Sequence, residues 1–373
     1  MNVYIVCAWY EVAMRHYSFT ILNNIRQYLP PEYKINVTLV LRNNKENYTE
    51  LKELEGLNID YLIIKNKYLN IASKVFPFFF DKYVAKKAKE YNASLIYILF
   101  EGLFFNNIKG MQKQCKVLFT VHDLIPHEKN IVNWKEKWLA ETESKRGKYL
   151  RENADYTITN AYSQFIMLKS MFNKPTFYTS MPTLVNDHIA NGKLKPAELD
   201  INNYILFFGR IDKYKGLDQL IKCHLDSGVS TILVIAGAGN LWFKIPDNRG
   251  VVFINRYIDD EEFNYLFANA LMTVLPYKAS TQTSLVSIPY YFKCPVMLSD
   301  ITEFKLLAAN SGSIICDFNN PDQYSKQVED ITRDVAYKEE IIAKQSKFYS
   351  ENYNSENFVT NLKKIFDEIQ QEI

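Results

Sequence analysis

Arg210 and Lys215 lie close together in the stretch Gly209-Arg210-Ile211-Asp212-Lys213-Tyr214-Lys215-Gly216, directly after the apolar run 204–208 and before an amphipathic segment, 217–225. Glycine at 209 lets backbone approach a ligand closely. The two cations can fold onto one anion, arginine as a planar fork and lysine as a point charge. A diphosphate suits that pairing, and an ordinary basic loop is the plainer alternative. A second candidate is Lys278-Ala279-Ser280-Thr281-Gln282-Thr283-Ser284, between the apolar run 271–275 and a helical segment, 284–292. Its hydroxyls either donate to a phosphate or cap the helix. A third is His122-Asp123, at the end of the run 117–121, where an imidazole can bond a ligand while Asp123 influences its tautomer. A structural histidine is the alternative. Gly237-Ala238-Gly239 lacks the third glycine of a dinucleotide fingerprint and fits a tight turn equally well.

The elements that must position these residues alternate between strand and helix patterns. Apolar runs at 3–8, 34–41, 61–64, 94–100, 117–121 and 156–159 read as buried parallel strands, and 17–29 carries helical spacing that stops at Pro30-Pro31. After a polar, aperiodic stretch, 191–203, the rhythm restarts with strands at 204–208, 231–236, 251–254, 271–275, 296–299 and 313–316. Helical segments fall at 217–225, 261–268 and 284–292. Two doubly wound α/β domains follow, over 1–190 and 204–350. Residues 351–373 form a terminal helix, amphipathic through Phe358, Leu362, Ile365, Phe366 and Ile369, that can return to the first domain. In open sheets of this kind ligands bind beyond the carboxyl ends of the strands, where all the candidates above fall.

LFFGRIDKYKGLDQLI, ILVIAGAGN, ANALMTVLPYKASTQTS and FKCPVMLS, in that order, resemble the nucleotide-sugar domain of family 4 glycosyltransferases of bacterial polysaccharide type, over about 204–299. The resemblance implies the GT-B fold, two Rossmann-like domains facing a central cleft. It also implies a retaining, metal-independent transfer from a nucleoside-diphosphate sugar to a saccharide acceptor, with no cofactor. Arg210 and Lys215 would then hold the donor diphosphate beside Gly209, and His122 would meet the donor sugar. Gly239, the loop of Tyr257 and Ile258, and Ser280, Thr281, Gln282, Thr283 and Ser284 would line the nucleotide, with Tyr257 stacking on the base or half-buried for packing alone. Where the family carries a glycine-rich loop after its first strand, this chain has Cys7-Ala8-Trp9-Tyr10-Glu11, then Arg15 and His16. Tyr10, Glu11, Arg15 and His16 either shape an acceptor pocket or cap the strand. The chain departs from the family's pair of glutamates: counting back from Pro295 puts Ile288 and Ser280 at those positions. A catalytically silent nucleotide-sugar-binding or scaffold protein of the same fold is therefore the competing reading, and a nucleotide-sugar epimerase is a third.

Composition restricts the function classes. The chain has 373 residues, room for two domains at ~150 each, and 47% hydrophobic with 23% charged residues rules out disorder. No apolar run reaches the ~18 residues of a spanning helix or resembles a signal peptide, so a cytoplasmic location is expected. The five cysteines have no paired spacing and read as buried thiols, and no metal site is expected. Net charge is +2, yet 65–151 holds 17 basic and 8 acidic residues, a local +9 that leaves −7 for the rest. Aromatics at 76–80, with Lys82, Lys86, Lys87 and Lys89 following, and the Trp134 to Trp138 cluster suit an anionic membrane surface, or core packing beside a solvated helix face. No nucleic-acid recognition motif is present.

Overall fold

A computed structural model describes residues 1–64, 78–100, 104–124, 134–244, 250–280 and 284–373. The chain divides into two compact units, one comprising the described residues up to Pro182 together with Ser355–Ile373, the other Thr183–Asn354.

The first unit is built on a seven-stranded sheet: β1 Asn2–Cys7, β2 Lys34–Leu41, β3 Asn58–Ile63, β4 Leu95–Phe100, β5 Lys116–Thr120, β6 Tyr156–Thr159 and β7 Thr176–Tyr178, in the order β3-β2-β1-β4-β5-β6-β7. Every pairing is parallel. Parallel strands covered on both faces need apolar residues on both, and β1 accordingly buries Val3 to Cys7 without a break. On one face Val3, Ile5 and Cys7 pack against the helix Val12–Tyr28 and the C-terminal helix Ser355–Gln371, whose Phe358, Leu362, Phe366 and Ile369 are buried there. Tyr33 donates to Asp367 and Tyr156 to Glu372, fastening that helix near its C-terminal end. On the other face Tyr4, Val6 and Ile96 meet Phe80, Val84, Leu150 and Leu168 from the helices Phe78–Glu90, Trp134–Asn153 and Tyr162–Met171.

The second unit has a six-stranded parallel sheet, β8 Tyr204–Phe208, β9 Leu233–Ala236, β10 Val251–Ile254, β11 Ala270–Leu275, β12 Val296–Ser299 and β13 Ile314–Cys316, ordered β10-β9-β8-β11-β12-β13. In both sheets the strand order reverses once, between β1 and β4 and between β8 and β11. These are the switch points beside which a crevice opens at the carboxyl ends of the strands.

Several elements differ from the sequence reading. The first helix begins at Val12 instead of 17, so Arg15 and His16 are helical. The helix expected over 284–292 is a 3-10 turn, Ser284–Val286, and the short helix Ser287–Tyr291, because Pro289 inside it has no N–H to donate. The stretch 191–203 is no free linker: Leu199 is buried, Leu194 N–H donates to the Glu261 carbonyl, and Glu198 pairs with Arg256. All five cysteines are buried and unpaired.

Candidate functional site

In the second unit the exits of β8 and β11 lie side by side. Gly209, directly after β8, has φ +119°, a region that side-chain-bearing residues avoid. A Cβ there would stand 2.9 Å from Lys215 Nζ and 3.2 Å from Leu285 Cδ1, so glycine lets the ammonium lie close against the backbone. The 3-10 turn Lys213–Lys215 then folds the chain back, and Lys215 is only 7% exposed. Its Nζ lies 5.2 Å from the ring centroid of Tyr277, two residues beyond β11, and Tyr277 is itself packed against Tyr214 and Phe304. No carboxylate among the described residues pairs with Lys215. Burial, and then the charge of Arg210, push its pKa down to about 8 against the pull of Asp212. Arg210 is more exposed, and its Nε donates to Asp212 at 2.5 Å. Lys278 locks the two strand exits together, its N–H donating to the Tyr214 carbonyl at 2.7 Å and its Nζ to both Asp218 oxygens at 3.0 Å.

Around this pair the remaining candidates fall into three groups. Gly239 N–H donates to Asn255 Oδ1 at 3.2 Å, and a Cβ on Gly239 would stand 2.6 Å from the Ile211 carbonyl, so the glycine is required by backbone packing. In the β10 exit loop Arg256 is clamped by two carboxylates, Glu198 at 2.8 and 2.9 Å and Glu262 at 2.7 Å twice. Those contacts hold Glu198 at about 2 and Glu262 below its usual range. Arg256 is therefore a brace, not a solvated loop cation. It leaves Tyr257 exposed at 58% while Ile258 is buried in the core, so Ile258 offers a ligand only its backbone. Ser280 is buried, and Ser284 accepts at its carbonyl from Ser287. Thr281, Gln282 and Thr283 lie outside the described residues. A five-residue helix supplies little of the dipole that an anion site at its start requires. Ile288 packs in the core with Phe208, Phe263 and Phe267, so that position offers a ligand no polar side chain.

In the first unit His122 stands just past β5. Its ring is held edge-on to Tyr17 at 4.6 Å and to Phe100 at 5.8 Å, and Nε2 lies 2.8 Å from the Leu99 carbonyl. A carbonyl only accepts, so Nε2 carries the proton and Nδ1 is left as an acceptor. Burial lowers the His122 pKa, keeping the ring neutral at pH 7. Gln164 fixes the loop by donating to the His122 carbonyl at 2.7 Å and accepting from Leu124 N–H at 2.6 Å. The residues after β1 are engaged with one another. Tyr10 is buried and donates to Glu50 at 3.0 Å, and Arg15 forks onto the same carboxylate at 2.6 and 2.5 Å. Glu11 accepts from Tyr48 and from Arg42 N–H. His16 lies on the same helix, half-buried.

Among the described residues no group of three His, Cys, Asp or Glu side chains could hold a metal ion, and no helix is long and apolar enough to cross a membrane. Tyr277 and Glu198 had not been singled out from sequence, and Lys278 was marked only as the first residue of the hydroxyl-rich segment. Tyr277 alone gave a usable signal, standing just past an apolar run like the other candidates.

No protein-family model matches the chain, and no curated protein matches it significantly. Solved structures do resemble it. Sucrose-phosphate synthase from Thermosynechococcus elongatus superimposes with a TM-score of 0.72 at 13% identity, covering 100% of both chains. HepE from Anabaena, solved with UDP-glucose, gives 0.68 at 13% over 100% of both. UDP-GlcNAc 2-epimerase from Neisseria meningitidis, bound to UDP-GlcNAc, gives 0.60 at 12% over 100% of both. The shared architecture is the GT-B fold, two Rossmann-like domains with parallel sheets.

Proposed function

We propose that this chain is a glycosyltransferase, related to family 4 of bacterial polysaccharide type, that moves a sugar from a nucleoside-diphosphate sugar to a hydroxyl of a saccharide acceptor. The observation that carries this reading is Lys215, a buried ammonium at a sheet switch point, packed beside Gly209 and Tyr277 and with no carboxylate partner among the described residues. An uncompensated buried cation is costly, and an anion arriving from solution removes that cost. The neighbours solved with UDP-glucose and UDP-GlcNAc support the same choice of ligand.

In this reading Lys215 and Arg210 hold the diphosphate and stabilise the charge that grows as it leaves, so that no metal is required. The bond from the sugar's anomeric carbon to the phosphate oxygen breaks as the bond to the acceptor oxygen forms. The acceptor's proton passes to the departing phosphate on the same face, giving retention. His122 takes no covalent part, and its free Nδ1 accepts a hydrogen bond from a hydroxyl of the transferred sugar. Tyr257 stacks on the base, with Ile258, Gly239, Ser280 and Ser284 around the nucleotide. Arg15 and His16, braced by the Tyr10, Glu11 and Glu50 contacts, face the acceptor. The enzyme works in the cytoplasm on a lipid-linked acceptor at the inner face of a membrane.

Ser280 and the buried Ile288 favour the silent binding protein as second reading, because neither supplies a carboxylate for ribose hydroxyls. Incubation with labelled nucleotide sugars, with and without saccharide acceptors, separates the readings. Transfer that requires acceptor supports the proposal. Donor interconversion without acceptor identifies an epimerase, and binding without turnover across the panel identifies the silent protein.

A further inference from the structure

His122 stands just past β5, and the torsion that sets the plane of a histidine ring is soft, so rotamer preference alone does not fix that plane. The bond between Nε2 and the Leu99 carbonyl, at 2.8 Å, restrains the ring at a single atom. The plane, and with it the direction of Nδ1, is left to the side chains packed around the imidazole.

Two rings do that packing. Tyr17 stands edge-on to His122 with centroids 4.6 Å apart and planes at 85°, and Phe100 lies at 5.8 Å and 61°. Tyr17 is the nearer and the more firmly placed. It is only 3% exposed, in the core beneath the helix Val12–Tyr28, whereas Phe100 is half-buried at the end of β4.

The Tyr17 hydroxyl accounts for that placement. It donates to Asn160 Oδ1 at 3.1 Å, and Asn160, just past β6, donates from Nδ2 to the carbonyl of Thr179, just past β7, at 3.2 Å. The hydroxyl of Tyr97 in β4 meets that of Tyr17 and accepts from Thr120 Oγ1, the end of β5, at 3.3 Å. Tyr97, Thr120, Asn160 and Thr179 are all buried. Buried polar groups tied to one another hold a single arrangement, because moving one leaves others unsatisfied away from water. A tyrosine that only filled the core would need none of these partners. This one is fastened to the exits of neighbouring strands, with its ring against the histidine.

We propose that Tyr17 is a positioning residue: the edge-on contact of its ring sets the plane of the His122 imidazole and so aims Nδ1. The placement of the imidazole belongs to the first unit alone, and its consequence for turnover rests on the transfer proposed above. A hydrogen bond weakens steeply as its donor angle falls toward about 120°, so an imidazole free to rock loses the bond to the sugar hydroxyl in most of its orientations.

Two substitutions separate the ring from its hydroxyl. Tyr17→Leu leaves an apolar side chain in the core and removes the ring; Tyr17→Phe keeps the ring and gives up the hydroxyl. Should Tyr17→Leu fail to fold, Tyr17→Met makes the same removal with a side chain that adapts to irregular gaps. Crystal structures read the imidazole without substrate. Tyr17→Phe is expected to leave it in the same plane, and Tyr17→Leu to rotate it by more than about 30° or spread it over several planes. In acceptor-dependent transfer Tyr17→Leu should lower kcat by at least about tenfold while UDP affinity stays within about twofold, and Tyr17→Phe should recover kcat to within about threefold of wild type. In a His122→Ala background Tyr17→Leu should change kcat by less than about twofold, a coupling that a merely structural role does not produce. An imidazole unmoved in the folded ring-deleted variant overturns the proposal. So does an equal loss of kcat in both backgrounds, or a loss in Tyr17→Phe as deep as in Tyr17→Leu. If the imidazole moves as expected while wild type transfers no sugar to any acceptor, the transfer reading falls and the positioning of His122 by Tyr17 stands.

Discussion

Raising the pH should weaken binding of a nucleoside diphosphate, and Lys215 sets where. The buried ammonium titrates at about 8 where an exposed lysine has 10.5, so keeping it charged in the empty site costs about 3 kcal/mol near neutral pH. A bound diphosphate supplies the missing counter-charge and moves the lysine back toward its ordinary value. Below about pH 8 the lysine is charged with or without ligand, and affinity is flat. Above it, binding must first restore the proton, so Kd rises about tenfold per pH unit over roughly two units. For stability the sign is opposite to that of a lysine gaining a carboxylate. Between about pH 8 and 10.5 the unfolded chain holds the proton that the folded chain has lost, so the empty protein gains stability as pH rises there. Calorimetric titration with UDP from about pH 7 to about pH 10, for wild type and Lys215→Gln, is the assay. Uracil loses its own proton in the upper part of that range and affects both proteins alike, so the difference between the two curves carries the result. Parallel curves would refute the assignment of Lys215 to the diphosphate.

Gly209→Ala should weaken UDP binding by about tenfold or more, because its methyl would stand 2.9 Å from Lys215 Nζ on a backbone that alanine avoids and so displace the ammonium; unchanged calorimetric affinity in the folded variant would remove Gly209 from the account. Arg210→Ala should slow transfer by about a hundredfold or more, since it removes charge stabilisation that grows as the diphosphate leaves, and steady-state kinetics on the best donor of the panel checks it. His122→Ala should lower turnover while UDP affinity stays within about twofold, and a collapse in UDP affinity would show that the histidine serves the nucleotide.

Much of the architecture was legible because parallel strands are buried on both faces and so read as unbroken apolar runs; β1, β2, β8 and β12 all fall within a residue of their expected ends. β7 escaped because its three residues, just after Pro175, are too few to show a pattern. The helices Pro321–Arg333 and Val335–Asn352 were also missed, although Asn320 and Asp334 cap them through their side chains. At the site, Arg210 and Lys215 were marked by local spacing, but the burial of Lys215 was not, since Tyr277 reaches it only through the pairing of β8 with β11. The brace on Arg256 was not legible for the same reason: Glu198, which holds it, lies far back along the chain in a stretch that looked like linker. Sequence spacing marks which residues carry chemistry, and only tertiary contacts decide which of them are already engaged.

The most direct test of the central claim is a structure of the protein with UDP bound. The account predicts a diphosphate oxygen within about 3.2 Å of Lys215 Nζ, with Arg210 swung from Asp212 toward the same group. UDP bound elsewhere, with Lys215 still facing Tyr277 and no anion, would contradict it.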